Sequence, residues 1–258
     1  MRIVIKIGTS TLTHETGQLN LRRVELLCRV LGDLKNAGHE VLLVTSGAIG
    51  MGVGKLALKE RPSDIPTKQA AAAVGQSELM YIYDRLFSEY HHTVAQILLT
   101  GDDFGHEDRL TNFHNTILRL LELGAIPVIN ENDTIATDEI KVGDNDTLSA
   151  MVAVSVNADL LILLSDIDGL YTADPHRCAD AKLIPEVRQI TDEVRSLGGG
   201  KGSALGTGGM KTKLHAAEIC MENGVDMVIM NGADPEMIYE LTDGKTVGTR
   251  FYAKEKRK

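Results

Sequence analysis

The feature of this sequence that most constrains its fold is the alternation of short Val- and Ile-rich runs with longer amphipathic stretches. The runs are nearly continuous in apolar residues, which is typical of parallel strands that are buried on both faces. They predict strands at 2–7, 40–44, 93–99, 126–129, 159–164 and 225–230.

The amphipathic stretches between these runs predict helices at 22–36, 68–89, 112–123, 146–156 and 211–223. Gly38, Gly124 and Gly224 follow three of them, where glycine commonly ends a helix. Strands that alternate with helices indicate an α/β fold. We therefore predict a three-layer αβα sandwich with a mostly parallel central sheet, formed by one domain over residues 1–258 with an approximate division near residue 150.

Composition excludes several classes of function. The 258 residues carry a formal net charge of −9, which disfavours binding to nucleic acid or to an anionic membrane. The three cysteines form no Cys-x-x-Cys pair, so neither a zinc site nor a disulfide framework is indicated. The N-terminus does not resemble a signal peptide, and no apolar run reaches the roughly 18 residues of a membrane helix. We expect a soluble, cytoplasmic protein.

Ligands of parallel α/β sheets bind beyond the carboxyl ends of the strands, so the residues that follow each predicted strand are candidates for a site. The first strand ends in Lys6-Ile7-Gly8-Thr9-Ser10, and the second is followed by Thr45-Ser46-Gly47. Glycine lets a backbone approach a ligand, and free N–H groups favour anions. An ordinary lysine at the end of a strand and glycine turns without function remain the alternative.

Amides and carboxylates are concentrated after the fourth strand, at Asn130, Asp133 and the run from 144 to 146. One of the carboxylates is explained if it caps the following helix. A pocket for an ammonium or amide group would use the others as well. Asp and Asn clusters also suit Mg²⁺ or Ca²⁺, although the EF-hand spacing is not met.

Two further segments are candidates for a ligand site. Ser165 and Asp166 follow the fifth predicted strand, and the glycine-rich run 206–213 opens the last predicted helix with two lysines. Such a helix start is suited to phosphate, whereas a flexible linker with chance lysines is the alternative. The common phosphate loop, dinucleotide and hydrolase motifs are absent from the sequence.

Taken together and in order, these segments resemble the amino acid kinase family. The resemblance covers the chain from Lys6 to about Phe251 and rests on KIGTS, VTSGAI, KQAAAAVGQ, QILLT, PVINEND, KVGDNDTLSA, DGLYTADP and GTGGMKTK. Within the family, the presence of both INEND and GDND makes the chain similar to the branch that phosphorylates L-glutamate. The resemblance implies the amino acid kinase fold, an amino-acid lobe at 1–150 and a nucleotide lobe at 151–258. It also implies ATP and Mg²⁺ as cofactors.

The resemblance also implies roles for individual residues. Lys6, Lys213 and Asp146 would be catalytic, with Asp146 orienting the two lysines. Substrate contacts are implied for Ser46, Asp133, Asn145, Thr9, Gly47 and Asn130. Nucleotide contacts are implied for Lys6, Ser165, Asp166, Thr207, Gly208, Gly209, Met210, Lys211, Thr212 and Lys213.

The resemblance further implies partners and rival functions. Proline would act as a feedback inhibitor, a γ-glutamyl phosphate reductase would be a partner, and the chain would form a homodimer or homotetramer. Because the sequence stops at Lys258, we expect no C-terminal PUA domain. Ser165 and Lys211 depart from the family pattern, as does the stretch around Phe113 and His114. A kinase with another amino-acid acceptor and a non-catalytic amino-acid sensor are the alternatives.

Overall fold

The computed structural model describes residues 1–14, 18–136, 144–199 and 209–254. Within these ranges eight strands form one sheet in the order β3-β4-β2-β1-β5-β7-β8-β6. The strands are β1 (Arg2–Ile7), β2 (Glu40–Val44), β3 (Val94–Leu99), β4 (Ile126–Glu131), β5 (Leu160–Ser165), β6 (Glu186–Val187), β7 (Asp226–Asn231) and β8 (Thr249–Phe251). All neighbouring pairs are parallel except β7 with β8.

The described residues form nine α-helices, of which the second, fourth, fifth, sixth and eighth correspond to predicted ones. They are α1 (Thr9–Leu12), α2 (Leu21–Asn36), α3 (Ala48–Lys55), α4 (Ile65–Ser88), α5 (Glu107–Glu122), α6 (Asn145–Ser155), α7 (Asp192–Ser196), α8 (Met210–Glu222) and α9 (Met237–Thr242), with a 3-10 helix at Gly101–Gly105. Gly38, Gly124 and Gly224 have positive φ angles, which confirms the three predicted helix ends.

Two separate hydrophobic cores show that helices cover both faces of the sheet. One core joins the sheet to α2, α4 and α9, and the other joins it to α5, α6 and α8. The predicted three-layer αβα sandwich with a mostly parallel sheet is therefore confirmed. Within the described ranges, no helix combines the length and the apolar character that crossing a membrane requires.

The order of the strands identifies the edge where a ligand would bind. From β1 the chain first adds β2 on one side and later adds β5 on the other. The crevice beyond the carboxyl ends of β1 and β5 is therefore a topological switch point, which is where α/β sheets usually bind ligands. Lys6 lies at this end of β1, in register with Val44 of β2 and Leu163 of β5.

Candidate active site

A cavity of about 820 Å³ opens at the carboxyl edge of the sheet. This volume is within the range of small-molecule sites. Eleven residues to which the resemblance assigns roles line it: Lys6, Thr9, Ser46, Gly47, Asn130, Asp133, Asn145, Asp146, Ser165, Asp166 and Lys213.

Two lysines from opposite ends of the chain meet on one buried carboxylate in this cavity. Lys6 Nζ lies 2.6 Å from Asp146 Oδ1, and Lys213 Nζ lies 3.0 Å from Asp146 Oδ2. Asp146 is 1% exposed, and each lysine is 8% exposed. Charged groups are seldom buried to this extent unless they are paired, so the three side chains form one mutually dependent unit.

Each member of this unit is held by a different element. Lys6 ends the central strand β1, Asp146 lies in the first turn of α6, and Lys213 lies in the first turn of α8. Thr212 Oγ1 lies 2.9 Å from Asp146 Oδ2, so α8 contacts the carboxylate a second time. The unit is fixed by regular elements, which position side chains more precisely than loops do.

The electrostatics of Asp146 are dominated by its two partners. Burial alone would raise the pKa of this carboxyl, but the charges and hydrogen bonds of Lys6 and Lys213 outweigh burial and hold the pKa well below its usual range. The neighbouring Asp144 behaves in the opposite way, because burial and the charge of Asp146 raise its pKa. Asp146 is therefore a fixed negative charge at physiological pH.

We expect Asp146→Asn to lower the free energy of unfolding at pH 7 by about 3–5 kcal/mol, because two buried ammonium groups lose their counter-charge. The depressed folded-state pKa means that the contribution of Asp146 is complete above roughly pH 4 and is lost as the pH falls through the folded value. Urea unfolding of both proteins between pH 7 and pH 3 checks this. The difference in the free energy of unfolding between the two proteins should narrow as the solution becomes acidic. A difference that is independent of pH would contradict this prediction.

Amide side chains form the other end of the cavity. Asn145 Nδ2 donates to Ser46 Oγ and to Asn130 Oδ1, each at 2.9 Å, and also to the carbonyl oxygen of Thr45. Asp144 caps α6, because its Oδ1 accepts from the Thr147 N–H at 2.9 Å. The capping interpretation therefore holds for Asp144 alone, and Asn145 and Asp146 face the cavity.

Free backbone N–H groups add positive potential at two places. Gly47 and Gly209 are the N-cap residues of α3 and α8, and glycine has no side chain with which to cap a helix. Gly47 has a φ of 99°, a left-handed conformation that glycine adopts without strain. Both helix starts therefore leave N–H groups available to anions, and the start of α3 lines the cavity.

The predicted nucleotide residues are distributed unevenly. Ser165 Oγ donates to Asp166 Oδ1 at 3.2 Å at the end of β5. Met210 packs against the hydrophobic core, and Lys211 is exposed; neither is among the residues that line the cavity. Thr207 and Gly208 lie outside the described residues. The roles of these residues stay predictions.

Three basic residues that line the cavity were not predicted as site residues. Lys59 and Arg61 lie between α3 and α4 with Glu60 between them, and Lys68 lies in the first turn of α4. The concentration of basic side chains around Pro62 was the available signal. It was not used, because this segment follows a helix and not a strand. Gln76 was not predicted as a site residue either. It lies behind the cavity and accepts a hydrogen bond from Asn130 at 2.9 Å.

Comparisons with known proteins identify the family of the chain. The amino acid kinase family matches residues 1–231. The glutamate 5-kinase of Carboxydothermus hydrogenoformans is 54% identical over 257 residues, which are 99% of this chain and 69% of that protein. The glutamate 5-kinase of Clostridium perfringens is also 54% identical, over 98% of this chain and 96% of its own length.

Solved structures with the same architecture are more distant in sequence. A carbamate kinase from Giardia lamblia bound to AMP-PNP superposes with a TM-score of 0.70 at 16% identity, and 98% of each chain is covered. The isopentenyl phosphate kinase of T. acidophilum, solved as a product complex, gives a TM-score of 0.67 at 17% identity over 97% of this chain and all of that one. At these identities the likeness shows the fold alone.

Proposed function

Since the chain belongs to the amino acid kinase family, we propose that it transfers the γ-phosphoryl group of ATP to the side-chain carboxylate of L-glutamate. The product would be γ-glutamyl phosphate, the first intermediate of proline biosynthesis. The observation that carries this proposal is the convergence of Lys6 and Lys213 on Asp146 beside a cavity lined with amide groups.

The chemistry needs no general base. A glutamate side chain has a reference pKa of about 4.3, so the attacking carboxylate is already ionised at neutral pH. One of its oxygens bonds to the γ-phosphorus while the bond to the β,γ-bridging oxygen breaks, and ADP leaves with the electron pair. No proton is transferred in this step. The protein has to bring two anions together, which requires positioning and positive charge.

Lys6 and Lys213 would supply that charge at the transferring group. Each ammonium group uses one contact on Asp146 and keeps further N–H donors for phosphate oxygens. Asp146 would keep both lysines protonated and aimed, so that little reorganisation is needed when negative charge moves along the reaction axis. We therefore assign the phosphoryl end of the cavity to these three residues.

The opposite end would bind the amino acid. We propose that Ser46, Asn145 and Asp133 contact L-glutamate, with Thr9, Gly47 and Asn130 beside them. The hydroxyl of Ser46 accepts from Asn145, which leaves its own O–H free to donate to a substrate oxygen. The three additional cations, Lys59, Arg61 and Lys68, would offset the carboxylates that also line the cavity when an anionic substrate binds.

The assigned residues fall into two parts of the sequence. All six residues that we assign to the amino acid precede residue 150, whereas Ser165, Asp166 and Lys213 follow it. We propose that residues 1–150 form the amino-acid lobe and residues 151–258 the nucleotide lobe. The nucleotide would lie against the end of β5 and the start of α8. In the sequence, the stretch 207–213 leads into and begins α8.

The described residues do not fit a divalent cation held by the protein. They contain no group of three or more Asp, Glu, His or Cys side chains arranged to hold a metal. Both oxygens of Asp146 face lysines, and Asp144 caps a helix. Mg²⁺ would therefore reach the cavity on the phosphates of ATP, as part of the substrate.

The proposed reaction also implies an enzyme that consumes the product, an inhibitor and a cellular location. Its acyl phosphate product is labile in water, so we propose that a γ-glutamyl phosphate reductase consumes it and that proline inhibits its formation. ATP and free L-glutamate are metabolites of the cytoplasm, where we propose that the chain acts. A homodimer or homotetramer is the assembly that we propose from the resemblance.

We expect hydroxylamine to trap a γ-glutamyl hydroxamate when the chain, MgATP and L-glutamate are mixed. The value of kcat/KM should exceed that for L-aspartate and for N-acetyl-L-glutamate by at least about 100-fold, because a buried polar site rejects analogues that leave its groups unpaired. Reactions without ATP are the control. Preference for another acceptor would identify a different kinase of the family, and no acceptor-dependent release of ADP would indicate a sensor.

A further inference from the structure

A chain of buried amide groups leads from the cavity into α4 and ends at Gln76. Asn130 Nδ2 donates to Gln76 Oε1 at 2.9 Å, and both side chains are buried. Gln76 is not among the residues that line the cavity, so it contacts the site only through Asn130. The motif KQAAAAVGQ, which ends at this residue, has no role in the mechanism so far.

The hydrogen bonds fix which way each amide faces. Asn145 Nδ2 donates to the backbone carbonyl oxygen of Thr45, so its nitrogen must point into the protein. Asn130 Oδ1 accepts from the backbone N–H of Glu131 at 2.9 Å and from Asn145, so its nitrogen must point towards Gln76. Each orientation is therefore fixed by a hydrogen bond to a backbone group. A backbone N–H can only donate and a backbone carbonyl can only accept, so neither amide can be reversed.

This orientation determines what the cavity presents to a ligand. Both amide hydrogens of Asn145 are directed at acceptors in the protein, so its carbonyl oxygen Oδ1 is the atom that remains for a ligand. An oxygen at that position accepts hydrogen bonds and so favours an ammonium group. An amide turned the other way would present N–H donors and would repel the same group.

Gln76 also carries an unusual cost. It is 6% exposed, and its Nε2 is buried without a hydrogen-bond partner among the described residues. A buried amide nitrogen without a partner costs free energy on folding, whereas the Oε1 of the same side chain satisfies the buried Asn130 Nδ2. The acceptor oxygen of Gln76 is the part of the side chain that the amide chain uses.

We propose that Gln76 is a positioning residue for substrate specificity. Its Oε1 holds Asn130, and Asn130 holds Asn145 with Oδ1 towards the α-ammonium group of the amino acid. Thr45, whose carbonyl oxygen accepts from Asn145, is itself held by the buried phenol of Tyr83, whose oxygen lies 2.8 Å from Thr45 Oγ1. This inference rests on the proposed function, because it names the group of L-glutamate that the oriented amide recognises.

The test compares Gln76→Met, Gln76→Glu and the exposed Gln96→Met of β3 with the wild type. The acceptors are L-glutamate and glutarate, which is the same dicarboxylate without the ammonium group. For Gln76→Met we expect KM for L-glutamate to rise about 10-fold and the preference for L-glutamate over glutarate to fall about 10-fold, because one buried hydrogen bond is lost. Its kcat with L-glutamate and its KM for ATP should change less than about threefold.

Gln76→Glu keeps an acceptor oxygen, so its preference for L-glutamate should stay within about threefold of the wild type. Gln96→Met should leave every parameter unchanged. Thermal unfolding shows whether each variant is folded. If Gln76→Met does not fold, Gln76→Leu, which also lacks the acceptor oxygen, replaces it with the same expected result and the same overturning result.

The proposal is overturned if a folded Gln76→Met keeps the wild-type preference, or if it loses activity towards both acceptors equally. Failure of the proposed function is distinct from either result, since the wild type itself would then show no ADP release that depends on L-glutamate.

Discussion

Lys213→Met is expected to lower kcat for ADP release by about 10³-fold, because it removes one cation from the place where charge moves in the transition state. Methionine keeps an unbranched chain of similar length, so the packing of α8 changes little. KM for L-glutamate should change less than about threefold, since we assign Lys213, which contacts Asp146, to the phosphoryl end of the cavity and not to the amino acid.

The measurement is steady-state release of ADP at saturating MgATP and L-glutamate. Lys245→Met is the matched control, because Lys245 is an exposed lysine outside the cavity. Its kcat should equal that of the wild type. A Lys213→Met protein that keeps kcat within threefold would remove this residue from the reaction.

Gly75→Ala is expected to lower the free energy of unfolding by roughly 3 kcal/mol through overpacking. A Cβ at this position would lie 1.8 Å from the carbonyl oxygen of Ala48 and 2.4 Å from the backbone nitrogen of Gly52. Both are backbone atoms of α3, so the two helices would have to separate. Since α3 starts directly after Ser46 and Gly47, KM for L-glutamate should rise as well.

Gly54→Ala on α3 is the control for this prediction. A Cβ at Gly54 meets nothing within 4 Å, so alanine should stabilise the helix by about 0.5–1 kcal/mol. Urea unfolding of both variants gives the comparison. Equal stability of Gly75→Ala and the wild type would show that α3 and α4 do not pack at this distance.

Most of the sheet could be predicted because its strands are buried on both faces. Such strands read as continuous apolar runs, and the predicted bounds 2–7 and 40–44 agree with β1 and β2. The strands β6 and β8 were missed. They contain two and three residues, which is too short for a pattern to distinguish them from a loop.

The helix α3 shows where local sequence information ends. Its sequence AIGMGVGK contains three glycines, each of which disfavours a helix by roughly 1 kcal/mol relative to alanine. The glycine at position 52 is explained by packing, because a Cβ there would lie 1.8 Å from the carbonyl oxygen of Ala71 on α4. A contact between helices is not visible in either segment alone.

The candidate site was predictable in part for a similar reason. Residues at the ends of parallel strands share one edge of the sheet, so Lys6, Asn130 and Ser165 were expected near one another. The contact of Asp146 with both lysines was implied by resemblance and not by spacing. The contact between Gln76 and Asn130 joins a helix to a strand 54 positions away, and it depends on side-chain distances that only the folded structure supplies.

The central claim is that one cavity holds a phosphoryl group under two lysines at one end and an amino acid against oriented amides at the other. A crystal structure with a non-hydrolysable ATP analogue and L-glutamate tests it most directly. We expect Nζ of Lys6 and of Lys213 within about 3 Å of γ-phosphate oxygens, and the glutamate side-chain carboxylate about 3–3.5 Å from the γ-phosphorus. A γ-phosphate that lies away from both lysines, with glutamate bound elsewhere, would contradict it.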